Sequence, residues 1–110
     1  MRENDEIAYL VLTTAPPDEA EHLAETLVRE RLAAGINVIP GMKSFYWWQG
    51  TLHIDAESQL LAQVPGERLE AFIQRLLELH SYEVPEVMCF QIDTGHPAYL
   101  QWIHDEATTT

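Results

Sequence analysis

The chain has 110 residues, of which 46% are hydrophobic, and eighteen acidic residues against six basic ones give a formal net charge of −12 at pH 7. This length and hydrophobic content predict a single folded domain over 1–110, with an ordered core at 6–104 and frayed ends, and argue against a disordered chain. The charge argues against nucleic acid and anionic membrane surfaces as partners, because both are bound through clustered lysine and arginine.

The single cysteine, Cys89, excludes a disulfide within the chain and a zinc site built from several cysteines. Its place between Met88 and Phe90 predicts a small buried hydrophobic residue. The first fifteen residues lack the basic start and the long apolar stretch of a signal peptide, and no stretch is long enough to cross a membrane. A cytoplasmic protein is therefore expected.

The first third of the chain predicts a strand followed by a helix. Residues 7–14 form an almost wholly apolar run, as expected of a central strand covered on both faces. Asp18 and Glu21 have the spacing of a capping box, which predicts a helix start, and apolar residues then recur at helical spacing as far as Leu32. Gly35 is expected to end this helix as a left-handed cap residue.

The next stretch, ending at Val64, predicts a long β-hairpin. Pro40 interrupts its first arm as a bulge, a bend or a sheet edge, because proline has no amide for a central ladder. The aromatic run 45–48 has strand chemistry, and Gly50 supplies the positive φ of a tight turn. The second arm follows a period-2 pattern, with Leu52, Ile54, Ala56, Ser58, Leu60, Ala62 and Val64 on one face. Its length of about thirteen residues corresponds to roughly 43 Å.

The remainder predicts a helix, a strand and a helix. An amphipathic helix is expected at about 67–80. Its inner face is formed by Leu69, Phe72, Ile73, Leu76 and Leu77. Residues 81–85 are extended, since the residue before a proline avoids the helical region. A fourth strand is expected at 87–92, and Pro97 begins a short helix that runs through Ile103.

These elements predict an α+β protein with a ferredoxin-like βαββαβ sandwich, a long hairpin between its second and third strands, and a short C-terminal helix. Two helices of about fifteen residues cover only about 22 Å of sheet, so the apolar far end of the hairpin has no cover from its own chain. A homo-oligomer is therefore expected. Its interface is predicted to contain Phe45, Tyr46, Trp47, Leu52 and Ile54.

Three segments carry a resemblance to a known family: the stretch from LTTAPPDEAEHL to SFYWWQGTL, the segment LELHSYEVPEV, and AYLQWI near the end of the chain. Over residues 7–104 the chain resembles the CutA family of divalent-cation-tolerance proteins. The resemblance implies a ferredoxin-like subunit similar to the PII signalling proteins, a homotrimer assembled through extended hairpins, and an association with tolerance of copper and other divalent cations. It implies no enzymatic reaction and no required cofactor.

The resemblance also bears on metal binding. Copper-associated members carry two cysteines where this chain has Thr13 and Gly35, and a histidine at the position of His80. Without soft thiolates, tight binding of Cu(I) is not expected, whereas His80 is a candidate ligand for Cu(II) or Zn. The alternative for His80 is a helix-end histidine that interacts with the free carbonyls and the negative pole of its helix.

A small-molecule pocket is the second hypothesis. Four residues match recurrent positions of the family's pattern, where the resemblance implies an inter-subunit cleft: Trp48, Glu57, Tyr82 and Glu86. Aromatic walls with a few convergent polar groups are typical of ligand pockets, and the alternative is that the aromatic residues form only the trimer core. Gln63 stands where the family often has a lysine, which weakens the case for a phosphate-bearing ligand such as PII proteins bind.

His53, Asp55 and Glu57 alternate along one strand face, which is the pattern either of a weak cation-binding stripe or of ordinary solvated residues. An enzyme is not expected. The loop 14–18 has two prolines and no arginine, so it lacks the anion cradle of acylphosphatases with this topology, and no Ser-His-Asp, glycine-rich or HExxH motif is present. A non-catalytic scaffold for another protein is the third alternative.

Overall fold

The computed structural model describes residues 6–108, and within this range the chain forms four strands and three α-helices. The elements are β1 (Ala8–Ala15), α1 (Pro17–Arg29), β2 (Gly35–Trp48), β3 (Thr51–Pro65), α2 (Leu69–Leu79), β4 (Val87–Gln91) and α3 (Pro97–Glu106), with a 3-10 turn at Gly66–Arg68 before α2. The predicted order of elements is confirmed. The predictions of domain limits and frayed ends concern in part residues 1–5 and 109–110, which lie outside the described residues.

The four strands form one antiparallel sheet in the order β2-β3-β1-β4. β1 is central, as its apolar sequence predicted, whereas β2 and β4 are edge strands. This strand order, with two helices crossing over between strands, is the ferredoxin-like arrangement. None of the helices within 6–108 has the length and apolarity needed to span a membrane.

α1 and α2 pack on one face of the sheet and bury the main core between them and the strands. The helices contribute Ala20, Leu23, Ala24, Leu27, Phe72 and Leu76, and the sheet contributes Val11, Leu60, Ala62 and Val64. The three residues from β3 are alternate positions of that strand. The predicted period-2 pattern therefore identifies the face of β3 that meets the helices.

α3 packs on the opposite face of the sheet. Gly35 pairs with Gln63, which lies an odd number of residues from Leu60 and so points away from α1 and α2. A Cβ on Gly35 would lie 3.3 Å from the ring of Trp102 in α3 and 3.0 Å from Oε1 of Gln63. The glycine therefore permits close packing between α3 and the start of β2.

β2 and β3 form a hairpin that extends beyond the helices. Gln49 and Gly50 join the strands with φ values of 50° and 79°, as a type I′ turn requires. The 15 residues of β3 span about 50 Å at about 3.3 Å each, close to the 45 Å long axis of the molecule. Side chains at the far end stay exposed, with Phe45 at 63% and Trp47 at 74%.

A bulge in β2 decides which residues of the hairpin share a face. Pro40 and Gly41 together oppose a single residue of β3, Ser58, on an edge strand, as the proline predicted. The extra residue reverses the alternation of β2. Beyond the bulge, one face carries Phe45, Trp47, Leu52 and Ile54, and the other carries Tyr46, Trp48, His53, Asp55 and Glu57. Tyr46 thus lies on the opposite face from the other four predicted interface residues.

The predicted capping box at the start of α1 is wrong. Pro16 is the N-cap residue, no side chain caps the helix, and Pro17 occupies its first position. Proline is well suited to this position because its fixed φ is already helical and the missing N–H has no intrahelical partner there. Asp18 consequently lies inside the first turn, where its negative charge is favourable to the positive end of the helix.

The predicted end of α1 at Gly35 is also wrong. The helix stops at Arg29, and Arg31 takes the left-handed conformation with φ of 62°. Tertiary contacts stabilise this residue: its carbonyl accepts a hydrogen bond from Arg68 Nε at 3.2 Å, and its guanidinium donates to the carbonyl of Glu106 at 3.0 Å. Long-range partners of this kind leave no local signal in the sequence.

Two residues predicted to be buried are exposed. Leu77 follows the core residue Leu76, and one residue turns a helix by about 100°, which directs Leu77 away from the sheet. Cys89 lies on β4, an edge strand, whereas α1 and α2 pack on the other three strands. Partial burial nevertheless raises the pKa of the Cys89 thiol, which favours its neutral form.

Candidate functional site

A cleft of about 830 Å³ opens between the far half of the hairpin and the segment that follows α2. It is lined by Thr14, Ser44, Phe45, Tyr46, Trp47, Trp48, Gln49, Glu57, Tyr82, Glu83, Val84, Pro85 and Glu86. The four residues predicted to surround an inter-subunit cleft, Trp48, Glu57, Tyr82 and Glu86, are all in this lining. A single chain therefore brings them together around one cavity.

A buried carboxylate lies in the wall of this cleft. Glu57 is only 6% exposed, and its Oε2 accepts a hydrogen bond from the Tyr82 hydroxyl at 2.6 Å. Burial of the phenol raises the pKa of Tyr82, and the hydrogen bond to Glu57 raises it further. Tyr82 therefore keeps its proton at neutral pH, remains a donor, and leaves the second oxygen of Glu57 for another donor.

A second phenol–carboxylate pair stands beside the first. The hydroxyl of Tyr46 donates a hydrogen bond to Asp55, and the Tyr46 ring stacks on His53, its direct partner across the hairpin, with centroids 5.4 Å apart. This hydrogen bond raises the pKa of Tyr46, with smaller contributions from burial and from the charges of Asp55 and Glu57. The predicted stripe of His53, Asp55 and Glu57 is thus engaged by two tyrosines and is not simply solvated surface.

His80 positions Tyr82. The histidine follows the last residue of α2 and is 7% exposed. Its Nε2 is 2.7 Å from the carbonyl oxygen of Thr14 in β1, and its Nδ1 accepts a hydrogen bond from the backbone N–H of Tyr82 at 3.1 Å. Because a carbonyl can only accept, Nε2 carries the proton and donates a hydrogen bond to the Thr14 carbonyl oxygen. The partner of His80 is therefore a strand carbonyl and not, as the structural alternative expected, the carbonyls of its own helix.

These contacts use both ring nitrogens of His80, so a metal ion would have to displace one of them. The other two positions considered for metal do not assist. Thr13 pairs with Leu60 on the face that meets the helices, whereas Gly35 belongs to the opposite face. Within 6–108, no three His, Cys, Asp or Glu side chains are grouped so as to hold a metal. The residues present do not fit a resident Cu or Zn ion.

Replacing Tyr82 with phenylalanine is expected to lower the free energy of unfolding by about 1–2 kcal/mol, because buried Glu57 loses its hydrogen-bond donor. Equilibrium urea denaturation measures this difference. Tyr99→Phe is the matched control, since Tyr99 is exposed on α3 and its stacking on Trp102 needs only the ring. Equal loss in both variants, or no loss in Tyr82→Phe, would contradict a role for the Tyr82–Glu57 bond.

Comparison with known proteins identifies the family. The sequence model of the family described as CutA1 divalent ion tolerance protein matches residues 9–106. The chain belongs to this family. The divalent-cation tolerance protein CutA of Thermus thermophilus is 39% identical over 97 residues, covering 87% of this chain and 94% of that protein. Protein CutA 1, chloroplastic, of rice is 38% identical over 97 residues, covering 87% of this chain, which spans 55% of the rice protein's length.

A solved structure from this family has the same fold. The PII-like protein CutA from Nostoc in its apo form is similar, with a TM-score of 0.88 and 32% identity, covering 93% of this chain and 99% of that chain. The predicted resemblance to PII proteins is thereby confirmed at the level of fold. The family model and the Thermus relative are named for tolerance of divalent ions, and neither name gives a reaction.

Some residues of the cleft were not predicted as site residues. Tyr46 was assigned to the subunit interface, and Thr14 was considered only as part of the loop 14–18, although both line the cavity. The alternation of acidic residues on β3 was the available signal for the Tyr46–Asp55 pair. Nothing local marks Thr14 as the acceptor of a hydrogen bond from His80, because 66 residues separate the two in sequence.

Proposed function

We propose that this member of the CutA family is a non-catalytic homotrimer that acts in divalent-cation tolerance. In this proposal the protein binds a small ligand in the cleft, and a neighbouring subunit completes the cleft. One observation carries the ligand-binding part of the proposal. Glu57 is a buried carboxylate with a single phenolic donor, placed in the wall of an open cleft with aromatic lining. Such concave, largely aromatic surfaces with a few convergent polar groups are typical of small-molecule sites.

The exposed end of the hairpin supports assembly. Phe45, Trp47, Leu52 and Ile54 share one face, and each is at least half exposed in the single chain. An apolar patch of large side chains on a soluble protein is typical of an interaction surface, and a closed symmetric oligomer covers it with copies of itself. The number of three subunits comes from the resemblance to the family. In the trimer, Phe45, Tyr46, Trp47, Leu52 and Ile54 form the interface.

Weak binding of Cu or Zn through His80 is the second candidate function, and the names of the relatives favour it. The two hydrogen bonds of the His80 ring weigh against it. We therefore expect titration of Cu(II) or Zn(II) into the protein to give the same heat in wild type and in His80→Gln. A matched control is His22→Gln, because His22 is exposed on α1. Micromolar metal binding that only His80→Gln removes would overturn this expectation.

The same calorimetry with a panel of small molecules, nucleotides included, tests the cleft. Binding that Glu57→Gln weakens and Glu21→Gln leaves unchanged supports a ligand site, because Glu21 is exposed on α1 outside the lining. If no metal ion and no small molecule gives a detectable heat of binding, the third alternative is favoured, a scaffold whose partner is another protein. Cytoplasmic residence belongs to this proposal as well, and subcellular fractionation tests it.

A further inference from the structure

Aromatic and acidic residues dominate the lining of the cleft. Tyr46, Trp48 and Tyr82 supply aromatic surface, and Glu57, Glu83 and Glu86 supply carboxylates. No lining residue that the structure describes is lysine, arginine or histidine. The combination of aromatic rings with uncompensated negative charge distinguishes this cleft from an ordinary apolar pocket.

Two carboxylates lie next to each other beside the cleft, because Asp55 and Glu57 are alternate residues on one face of β3 and each accepts a hydrogen bond from a tyrosine. The carboxylates of Asp55 and Glu57 both raise the pKa of Tyr46, and the same two groups contribute to the raised pKa of Tyr82. The two phenols are therefore neutral donors held by carboxylates, and the net charge beside them is negative. A formal charge of −12 on the whole chain adds to this potential at long range.

Two classes of ligand fit this lining poorly. Phosphate-bearing ligands need basic side chains or a loop of free amides, and the lining offers carboxylates instead. A divalent metal ion needs several grouped oxygen or nitrogen ligands, and none of the described residues form a group of three. The aromatic and acidic lining instead suits an organic cation, which pairs with carboxylates and tolerates contact with aromatic rings.

We propose that the cleft binds an organic ammonium ion, a protonated amine or quaternary ammonium group, through the rings of Tyr46 and Trp48 and the carboxylate of Glu57. Ring faces attract such cations because the aromatic quadrupole is negative above the ring, and the buried carboxylate of Glu57 supplies the opposite charge. Glu83 and Glu86 lie in the same lining and attract the cation towards the cleft. The inference rests on the proposed function, because it gives the ligand class of that same cleft.

Choline and its neutral isostere 3,3-dimethyl-1-butanol test the proposal, since the two differ only in the charged nitrogen. Calorimetric titration of the full chain is expected to give a Kd for choline at least about tenfold lower than for the isostere. Spermidine, a polyamine, is expected to bind as well, and added salt weakens both cations because the outer carboxylates are screened. ATP at the same concentration is expected to give no heat.

Variants assign the effect to the cleft. Glu57→Gln keeps an acceptor for Tyr82 but removes the charge, and it is expected to weaken choline about tenfold while leaving the isostere unchanged. Glu21→Gln removes the same charge from α1 and is expected to change neither affinity. If Glu57→Gln disturbs folding, the double variant Glu83→Gln with Glu86→Gln replaces it, because both residues are exposed, and it weakens choline several-fold.

The outcomes separate this inference from the proposed function. Equal affinity for choline and its isostere overturns the ammonium class but leaves a ligand-binding cleft. If ATP binds and neither choline nor spermidine does, the ligand class is anionic and the ammonium class is overturned. No binding of either amine overturns the inference, while sedimentation decides separately whether the proposed trimer exists. The inference is supported if the protein prefers choline to its isostere about tenfold, and if Glu57→Gln abolishes this preference while Glu21→Gln preserves it.

Discussion

Replacing Phe45 and Trp47 together with glutamate is expected to separate the proposed trimer into monomers. Both side chains point from the same face of the hairpin and are among the most exposed large apolar side chains within residues 6–108. In a symmetric assembly each substitution is repeated in every subunit, so six unpaired carboxylates would have to be buried. An unpaired charge buried in an apolar interface costs several kcal/mol, so the substituted subunits are expected to separate.

Sedimentation velocity measures the change, and the matched control is Leu77→Glu. Leu77 is another half-exposed apolar residue, but it lies on α2 and not on the hairpin. The control is expected to keep the mass of the wild type. The double variant is also expected to melt at lower temperature, since assembly stabilises the folded subunit by mass action. An unchanged mass for the double variant would place the subunit interface elsewhere.

The second large effect is expected from His80→Ala, which should lower the free energy of unfolding by about 2–5 kcal/mol. The substitution removes two hydrogen bonds at once and leaves the carbonyl of Thr14 and the amide of Tyr82 without partners. It also leaves a small cavity in place of a buried ring. The loss of the Tyr82 amide contact loosens the hydroxyl that binds Glu57, so affinity for the proposed ligand is expected to fall together with stability.

Substitutions that retain one of the two hydrogen bonds of His80 measure how much each bond contributes to the loss of stability. His80→Asn keeps an acceptor near the position of Nδ1, and His80→Gln keeps a donor near the position of Nε2, so each is expected to lose less than His80→Ala. His22→Ala removes an exposed histidine from α1 and is expected to stay within about 0.5 kcal/mol of the wild type. Urea denaturation of the four variants tests the argument. A His80→Ala variant as stable as His22→Ala would show that His80 is free for another role.

The fold was predictable because its periodic patterns are long. Alternation through β3 identified the core face, and the apolar run of β1 identified the central strand, since each signal extends over many residues. Details that depend on distant partners were not predictable. Arg31 replaces Gly35 as the left-handed residue after α1 because Arg68 and Glu106 hold it.

The cleft was predictable in part. Trp48, Glu57 and Tyr82 were named from the family pattern, and the structure brings them together. The assignment of Tyr46 to the cleft depends on the bulge at Pro40, which shifts the alternation of β2 by one residue. A proline within a predicted strand indicates a bulge or a sheet edge, but it does not show on which face of the sheet the following side chains lie. Cys89 was expected to be buried because a strand sequence alone does not show that the strand lies at an edge.

Sedimentation equilibrium of the wild-type protein at micromolar concentration tests the central claim most directly, because both the interface and the completed cleft depend on assembly. The predicted result is a single species with three times the 12.6 kDa mass of one chain. A clean monomer at this concentration would contradict the account, since the aromatic end of the hairpin would then be covered by nothing.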